Sequence, residues 1–152
     1  MSSFVERFTN PFDLPEPAPS RKQILALEDA MRKEQDQIKI KPVHYFAEGL
    51  YAREITIPKG CVLTGKIHLF EHLNIISKGD ISVLTESGVK RIKAPATIIS
   101  KPGIKRVGWA HEETVWTTIH AYKDERDADA VERLLVVDTF EEFEAKACHL
   151  LP

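Results

Sequence analysis

Residues 58–84 read PKGCVLTGKIHLFEHLNIISKGDISVL, and this stretch decides the fold. Turn residues stand at Pro58-Lys59-Gly60 and again at Lys78-Gly79-Asp80, with β-branched and apolar runs of strand length around them. Side chains alternate along a strand, so Lys66, His68, Phe70 and His72 share one face. Ile67, Leu69 and Leu73 form the opposite row, apolar apart from Glu71. Two histidines on one face, bracketed by glycine turns, build a pocket wall in a small β-barrel. A bulge or turn at Phe70 or Glu71 would shift this register and send one histidine outward.

The same punctuation extends in both directions. Upstream, the pattern predicts strands over 38–46 and 50–57, the second placing Tyr51, Arg53, Ile55 and Ile57 on one face. Downstream, Glu86-Ser87-Gly88 reads as a hairpin turn, followed by strands over 89–93 and 96–100 and a turn at Lys101-Pro102-Gly103. Strands are expected over 114–122 and, in VERLLVV, over 131–137. Many short strands divided by Gly and Pro turns predict a mostly β sandwich or barrel over 38–138.

Two helices flank it. Ser20 and Gln23 have capping-box spacing, and Ile24, Leu27 and Met31 give one apolar stripe, so a helix is expected over 20–37. Thr139 and Glu142 repeat that spacing and open a C-terminal helix and tail over 139–152. Residues 1–19 are rich in Pro and carry Phe4, Phe8 and Phe12, which predicts an extended arm that docks on its own barrel or a neighbour. The arm and the helical stripe together predict a homodimer or larger homo-oligomer.

Composition excludes several classes. A chain of 152 residues with net charge −2 is one domain with no global attraction for nucleic acid or anionic membrane. Cys61 and Cys148 have neither metal-ligand spacing nor the density of a disulfide scaffold, which fits a reducing, cytoplasmic setting. No run approaches transmembrane length. Nucleophile elbows, phosphate loops and zinc-finger spacings are missing from the sequence.

These residues resemble the cupin superfamily of RmlC-like jelly rolls. Its first motif is a Gly, His-x-His, three or four residues, Glu, six residues and Gly. Here Lys66-Ile67-His68 is followed by His72, seven residues before Gly79. His68 matches the second motif histidine, Lys66 replaces the first, and His72 replaces the glutamate. The second motif, Pro-x-Gly-x-x-His, is approximated by Pro102-Gly103-Ile104-Lys105-Arg106, with Arg106 in the place of the third histidine. The resemblance covers roughly residues 43–122 and extends to small cupin-like proteins carried by bacteriophages, for which the compartment would be the host cytoplasm. It implies a single jelly-roll barrel, and a strand change near Phe70 that would let His72 open the next strand.

The resemblance also implies either no cofactor or a divalent metal, with His68 and His72 as ligands and His120 or His111 completing the set. Fixed positive charge at Lys66 and Arg106 raises the cost of a cation, so substoichiometric metal or none is expected. Lys66, His68, His72 and Arg106 together favour a small anionic ligand in the barrel. Tyr51, Arg53, Trp116 and His120 complete the expected pocket, with Trp109 a further candidate wall, and His44 and His149 are given no role. Three functions follow: a small-molecule-binding cupin, a metal-dependent cupin enzyme of isomerase or dioxygenase type, or an interaction or virion-associated protein using the barrel as a scaffold.

Overall fold

The computed structural model describes residues 20–150; the expected arm, 1–19, and the last two residues lie outside the described residues. Helix α1 (Arg21–Arg32) leads into eleven strands. These are β1 (Val43–Ala47), β2 (Leu50–Ile57), β3 (Val62–Thr64), β4 (Ile67–His68), β5 (His72–Lys78) and β6 (Asp80–Thr85), then β7 (Gly88–Lys93), β8 (Ala96–Ser100), β9 (Val107–Ala110), β10 (Thr114–Ala121) and β11 (Val136–Val137). Helix α2 (Ala128–Leu135) precedes β11, and α3 (Phe140–Leu150) follows it.

Every strand pairing is antiparallel. One sheet has five strands in the order β1-β2-β10-β5-β8; a second has the order β3-β9-β6-β7; β11 and β4 make a small third ladder. The first two face each other across a core of Ile55, Ile57, Ile76, Ile81, Val83 and Ile92. Alternation along each strand delivers this set to the interior. The fold is the expected mostly β jelly roll with flanking helices.

The chain passes from one large sheet to the other through Gly79 alone, between the end of β5 and the start of β6. Its φ is +101°, and a Cβ there would sit 2.4 Å from the Glu113 carbonyl oxygen. Only glycine has both the left-handed freedom and the missing atom that this crossing requires. At the other conspicuous glycine, Gly108 in β9, Leu63 and Ile81 fill the place of the side chain. That lets β9 run as a central strand although the sequence pattern does not announce it.

Three expectations change. VERLLVV is not a strand: Asp127 caps α2, its carboxylate accepting the Ala130 amide at 3.0 Å, and only Val136 and Val137 are extended. Helical periodicity wins because it gathers Ala130, Val131 and Leu135 on one buried face, whereas strand alternation would bury Arg133 with Leu135. The first helix stops at Arg32 rather than fading near 37, because Gln37 Nε2 donates to the Met31 and Arg32 carbonyls and closes its end. Residues 38–42 then run without regular structure, and the strand expected over 38–46 begins only at Val43.

The stripe on α1 is spent within the chain. Ile24 is fully buried, and Leu27 and Met31 pack with it on Leu84, Val107, Val62 and Trp109 of the smaller large sheet. The capping box is formed as expected. Beneath the helix, Lys105 Nζ meets Glu28 Oε2 at 2.5 Å, with both side chains buried.

Candidate ligand pocket and histidine cluster

A cavity of about 590 Å³ lies inside the barrel between the two large sheets, bordered by α2. Its inner wall is polar where β2, β4, β5 and β10 converge, and apolar where Ile55, Leu63, Val83 and Trp116 line it. Ile38, Ile40 and Pro42 border it from the segment before β1, and Asp129 and Glu132 from α2. That size and mixture suit a small organic molecule.

The stretch 66–72 is not one strand. β4 ends at His68, Leu69 turns into a cluster with Ile67, Val137 and Phe140, and β5 starts at His72. The Leu69 amide bonds the Leu135 carbonyl at 2.8 Å and the Gly103 amide bonds the His68 carbonyl at 3.0 Å, which fixes the break. Phe70 is therefore exposed, and Glu71 reaches Lys101 at 2.6 Å on the surface. Lys66 is also exposed and is ion-paired with Glu132 and with Asp138, so it borders the cavity rather than entering it. The expected row of four is thus broken. The two histidines still converge because the change of sheet turns β5 so that His72 meets β4.

His120, on β10, completes a three-imidazole cluster. Ring centroids lie 4.2 Å (His68–His72), 4.5 Å (His72–His120) and 5.0 Å (His68–His120) apart. One ring nitrogen from each falls within 4.8 Å of the others. His68 Nδ1 and His120 Nε2 share a hydrogen bond at 2.8 Å. His72 Nδ1 donates to the Phe70 carbonyl at 2.9 Å, which leaves Nε2 unprotonated; that atom is buried with no hydrogen-bond partner among the described residues. His68 and His120 stand on the cavity wall and His72 behind them. Burial holds all three neutral: His68 is pushed down to about 2, helped by His72, His120, Arg106 and Arg53, and His120 to about 4, helped by His72. His72 is lowered as well, again chiefly by burial.

Three neutral imidazoles, one with a bare and unpartnered nitrogen, fit the donor set of a divalent metal. A backbone carbonyl holding the opposite ring nitrogen is the usual support for such a ligand. His111 takes no part: it bonds Ser82 at 2.6 Å on the other large sheet.

Arg106 supplies the positive charge. It is half-buried on the cavity wall, its pKa lowered by burial, and its Nη2 donates to Ser100 Oγ at 2.6 Å. No carboxylate lies within ion-pairing distance of it among the described residues. A buried relay fixes Ser100: Trp116 Nε1 and Thr118 Oγ1 donate to Asn74 Oδ1 at 2.9 and 3.0 Å, and Asn74 Nδ2 donates to Ser100 Oγ at 2.5 Å. One guanidinium nitrogen is thereby pinned, leaving the rest of the fork available to a ligand.

Tyr51, Arg53 and Trp116 line the cavity, and Trp109 does not, being packed under α1. His44 does have a place there: its Nδ1 meets Tyr51 Oη at 2.6 Å and its ring borders the cavity. Its signal was the alternation of β1, which puts His44 opposite Arg53. Asn74 and Ser100 had no signal in the sequence beyond an inward parity, because their role depends on pairing between β5 and β8.

No protein-family model and no curated protein matches the chain. Solved structures similar to it include an RmlC-like cupin from Shewanella frigidimarina, at 14% identity over 57% of this chain and 86% of that one, with a TM-score of 0.45. An RmlC-like cupin family protein with a double-stranded β-helix fold from Methanocaldococcus jannaschii is similar at 14% identity over 58% and 84%, with a TM-score of 0.46. The cupin domain of Schizosaccharomyces pombe Cnp3 is similar at 18% identity over 68% and 76%, with a TM-score of 0.48. The chain is similar to RmlC-like cupins in fold, and the likeness extends no further than the fold.

Proposed function

We propose that this chain is a cupin-like protein that binds a small anionic ligand in the barrel, with Arg106 as its anchor. The observation that supports this most is the half-buried Arg106 guanidinium, set into a cavity wall by Ser100 and given no carboxylate partner among the described residues. A cation withdrawn from water without a counter-ion is costly, and an incoming carboxylate or phosphate relieves that cost with charge-assisted hydrogen bonds. Arg53 adds positive charge on the same wall, and the neutral histidines offer hydrogen bonds without opposing an anion. Trp116, Ile55 and Leu63 would receive an apolar body.

Titration calorimetry with oxalate, succinate and inorganic phosphate tests it. At least one probe is expected to bind saturably, and Arg106→Met is expected to weaken that probe by about 30-fold or more, since removing one partner of a buried charge pair costs about 2 kcal/mol or more. If none of the three binds at millimolar concentration, or if Arg106→Met leaves the affinity unchanged, the anchor role fails.

The orphaned Nε2 of His72 favours a second occupant, a divalent metal held by His68, His72 and His120. Such a metal would supply a Lewis acid beside the bound anion. Of the two charges that argue against a cation, Lys66 is paired elsewhere, while Arg106 remains. Chelator-treated protein is expected to take up about one Co²⁺ per chain with the d–d absorption of nitrogen ligation, and His72→Ala to take up none. Absence of saturable Co²⁺ uptake at millimolar concentration would rule the metal out without touching the Arg106 result.

A further inference from the structure

We propose that the ligand of the Arg106 cavity is an amphipathic monocarboxylate, an acid whose body is hydrocarbon rather than polyhydroxylated. This rests on Arg106 serving as the anchor. Away from Arg106 and the histidines, each element around the cavity presents apolar side chains: Ile55 and Trp116 from the five-stranded sheet, Leu63 and Val83 from the facing sheet, Val131 and Leu135 from α2. Ile40 and Ile38 continue this lining outward, and Ile38 is 60% exposed. At about 590 Å³ the cavity has the volume of about twenty waters of about 30 Å³ each, far more than phosphate or oxalate fills. A carboxylate held at Arg106 therefore leaves a large apolar space beside it.

The polar side chains of the wall are already bonded to one another. Tyr51 meets His44, His68 meets His120, and Trp116 and Thr118 both donate to Asn74. Lys66, at the border, is held by Glu132 and Asp138. Arg53 and Asp129 are exposed and keep their water. The Arg106 fork is thus the principal unspent donor, and the rest of the wall offers few hydrogen bonds to an incoming ligand. A sugar acid would give up its water on entry and leave hydroxyls unpaired, which is costly. A hydrocarbon body has no such loss, and each buried methylene tightens binding about fourfold. One half-buried cation also matches one carboxylate; a second charge on the body would be buried without a partner. The wall selects for apolar length as well as for charge.

Titration calorimetry of the full chain with butanoate, hexanoate, octanoate and gluconate tests this. Affinity is expected to rise about tenfold or more with each pair of methylenes added. Gluconate has the chain length and charge of hexanoate but carries hydroxyls, and is expected to bind about 100-fold more weakly or not at all. Arg106→Met is expected to weaken hexanoate and octanoate alike, by about 30-fold or more, because the two share a head group. If none of the four acids binds at millimolar concentration, the inference falls, and the phosphate, oxalate and succinate titrations decide whether the anchor falls with it. If the acids bind through Arg106 but added methylenes bring no gain, or gluconate equals hexanoate, the anchor stands and the amphipathic ligand is ruled out. Octanoate binding that Arg106→Met leaves unchanged would put the chain outside the cavity and overturn the inference as well.

Discussion

Metal-free protein is expected to lose stability steadily as the pH falls from about 6.5 to about 4.5, a window in which most small domains change little. The cause is the cluster of His68, His72 and His120, whose folded-state pKa values lie below the ordinary 6.5, at about 2 for His68 and about 4 for His120. The unfolded chain therefore binds protons on these rings in a range where the folded chain does not. Stability is complete above the unfolded value, and falls with pH until the folded value is reached. Each unit of separation contributes about 1.4 kcal/mol, so His120 alone would remove about 3 kcal/mol between pH 6.5 and 4, with His68 adding a loss of the same order. A large share of the stability of a domain of this size is at stake.

Burial is the main cause for each ring, and the surrounding charges act the same way. Arg106 and Arg53 face His68, and no carboxylate within ion-pairing distance offsets them among the described residues. Carboxylates with lowered pKa values, such as Asp80 beside Arg91, lose their contribution only at lower pH, so the window above about 4.5 isolates the histidines. Urea unfolding of chelator-treated protein at pH 7, 6 and 5 measures the slope, and His120→Gln should flatten it. A midpoint that stays constant from pH 7 to pH 5 would show that the rings are not held neutral by the fold.

Lys105→Met is expected to cost about 3 kcal/mol of stability, at the lower end of the range for breaking a buried ion pair. Lys105 Nζ and Glu28 Oε2 lie 2.5 Å apart, with 3% and 8% of their side chains exposed. Losing the ammonium leaves the Glu28 carboxylate under α1 with, among the described residues, only Arg32, itself 69% exposed, at 3.0 Å. That remaining partner keeps the loss from reaching the top of the range. Since the cost comes from the stranded charge, Glu28→Met combined with Lys105→Met should recover most of the loss. Denaturant titration of the two singles and the double tests this as a mutant cycle. A double variant less stable than either single would mean that the pair itself, rather than the penalty of separating it, holds the helix.

Local chemistry was enough to read the architecture. Period-two alternation and the turns at 58–60, 78–80, 86–88 and 101–103 determined a mostly β chain, because each is decided by neighbours within a few residues. The capping box at Ser20 did the same for the first helix, and Thr139, whose hydroxyl accepts the Glu142 amide, for the last. Where two local signals competed, as in 128–137, β-branched content pointed to a strand, and the buried face available to a helix won. His68 and His72 were legible as pocket candidates by residue type and alternation, Arg106 by its place in the motif resemblance, and His120 by residue type with its face left open. Their arrangement was not. Only the tertiary structure turns Lys66 out to Glu132 and Asp138, and only the meeting of β4 with β10 brings His120 to within 2.8 Å of His68, fifty-two residues away in sequence. Sequence spacing determines which face a residue takes within its own strand, whereas contact across strands depends on register and sheet order, which no local pattern contains.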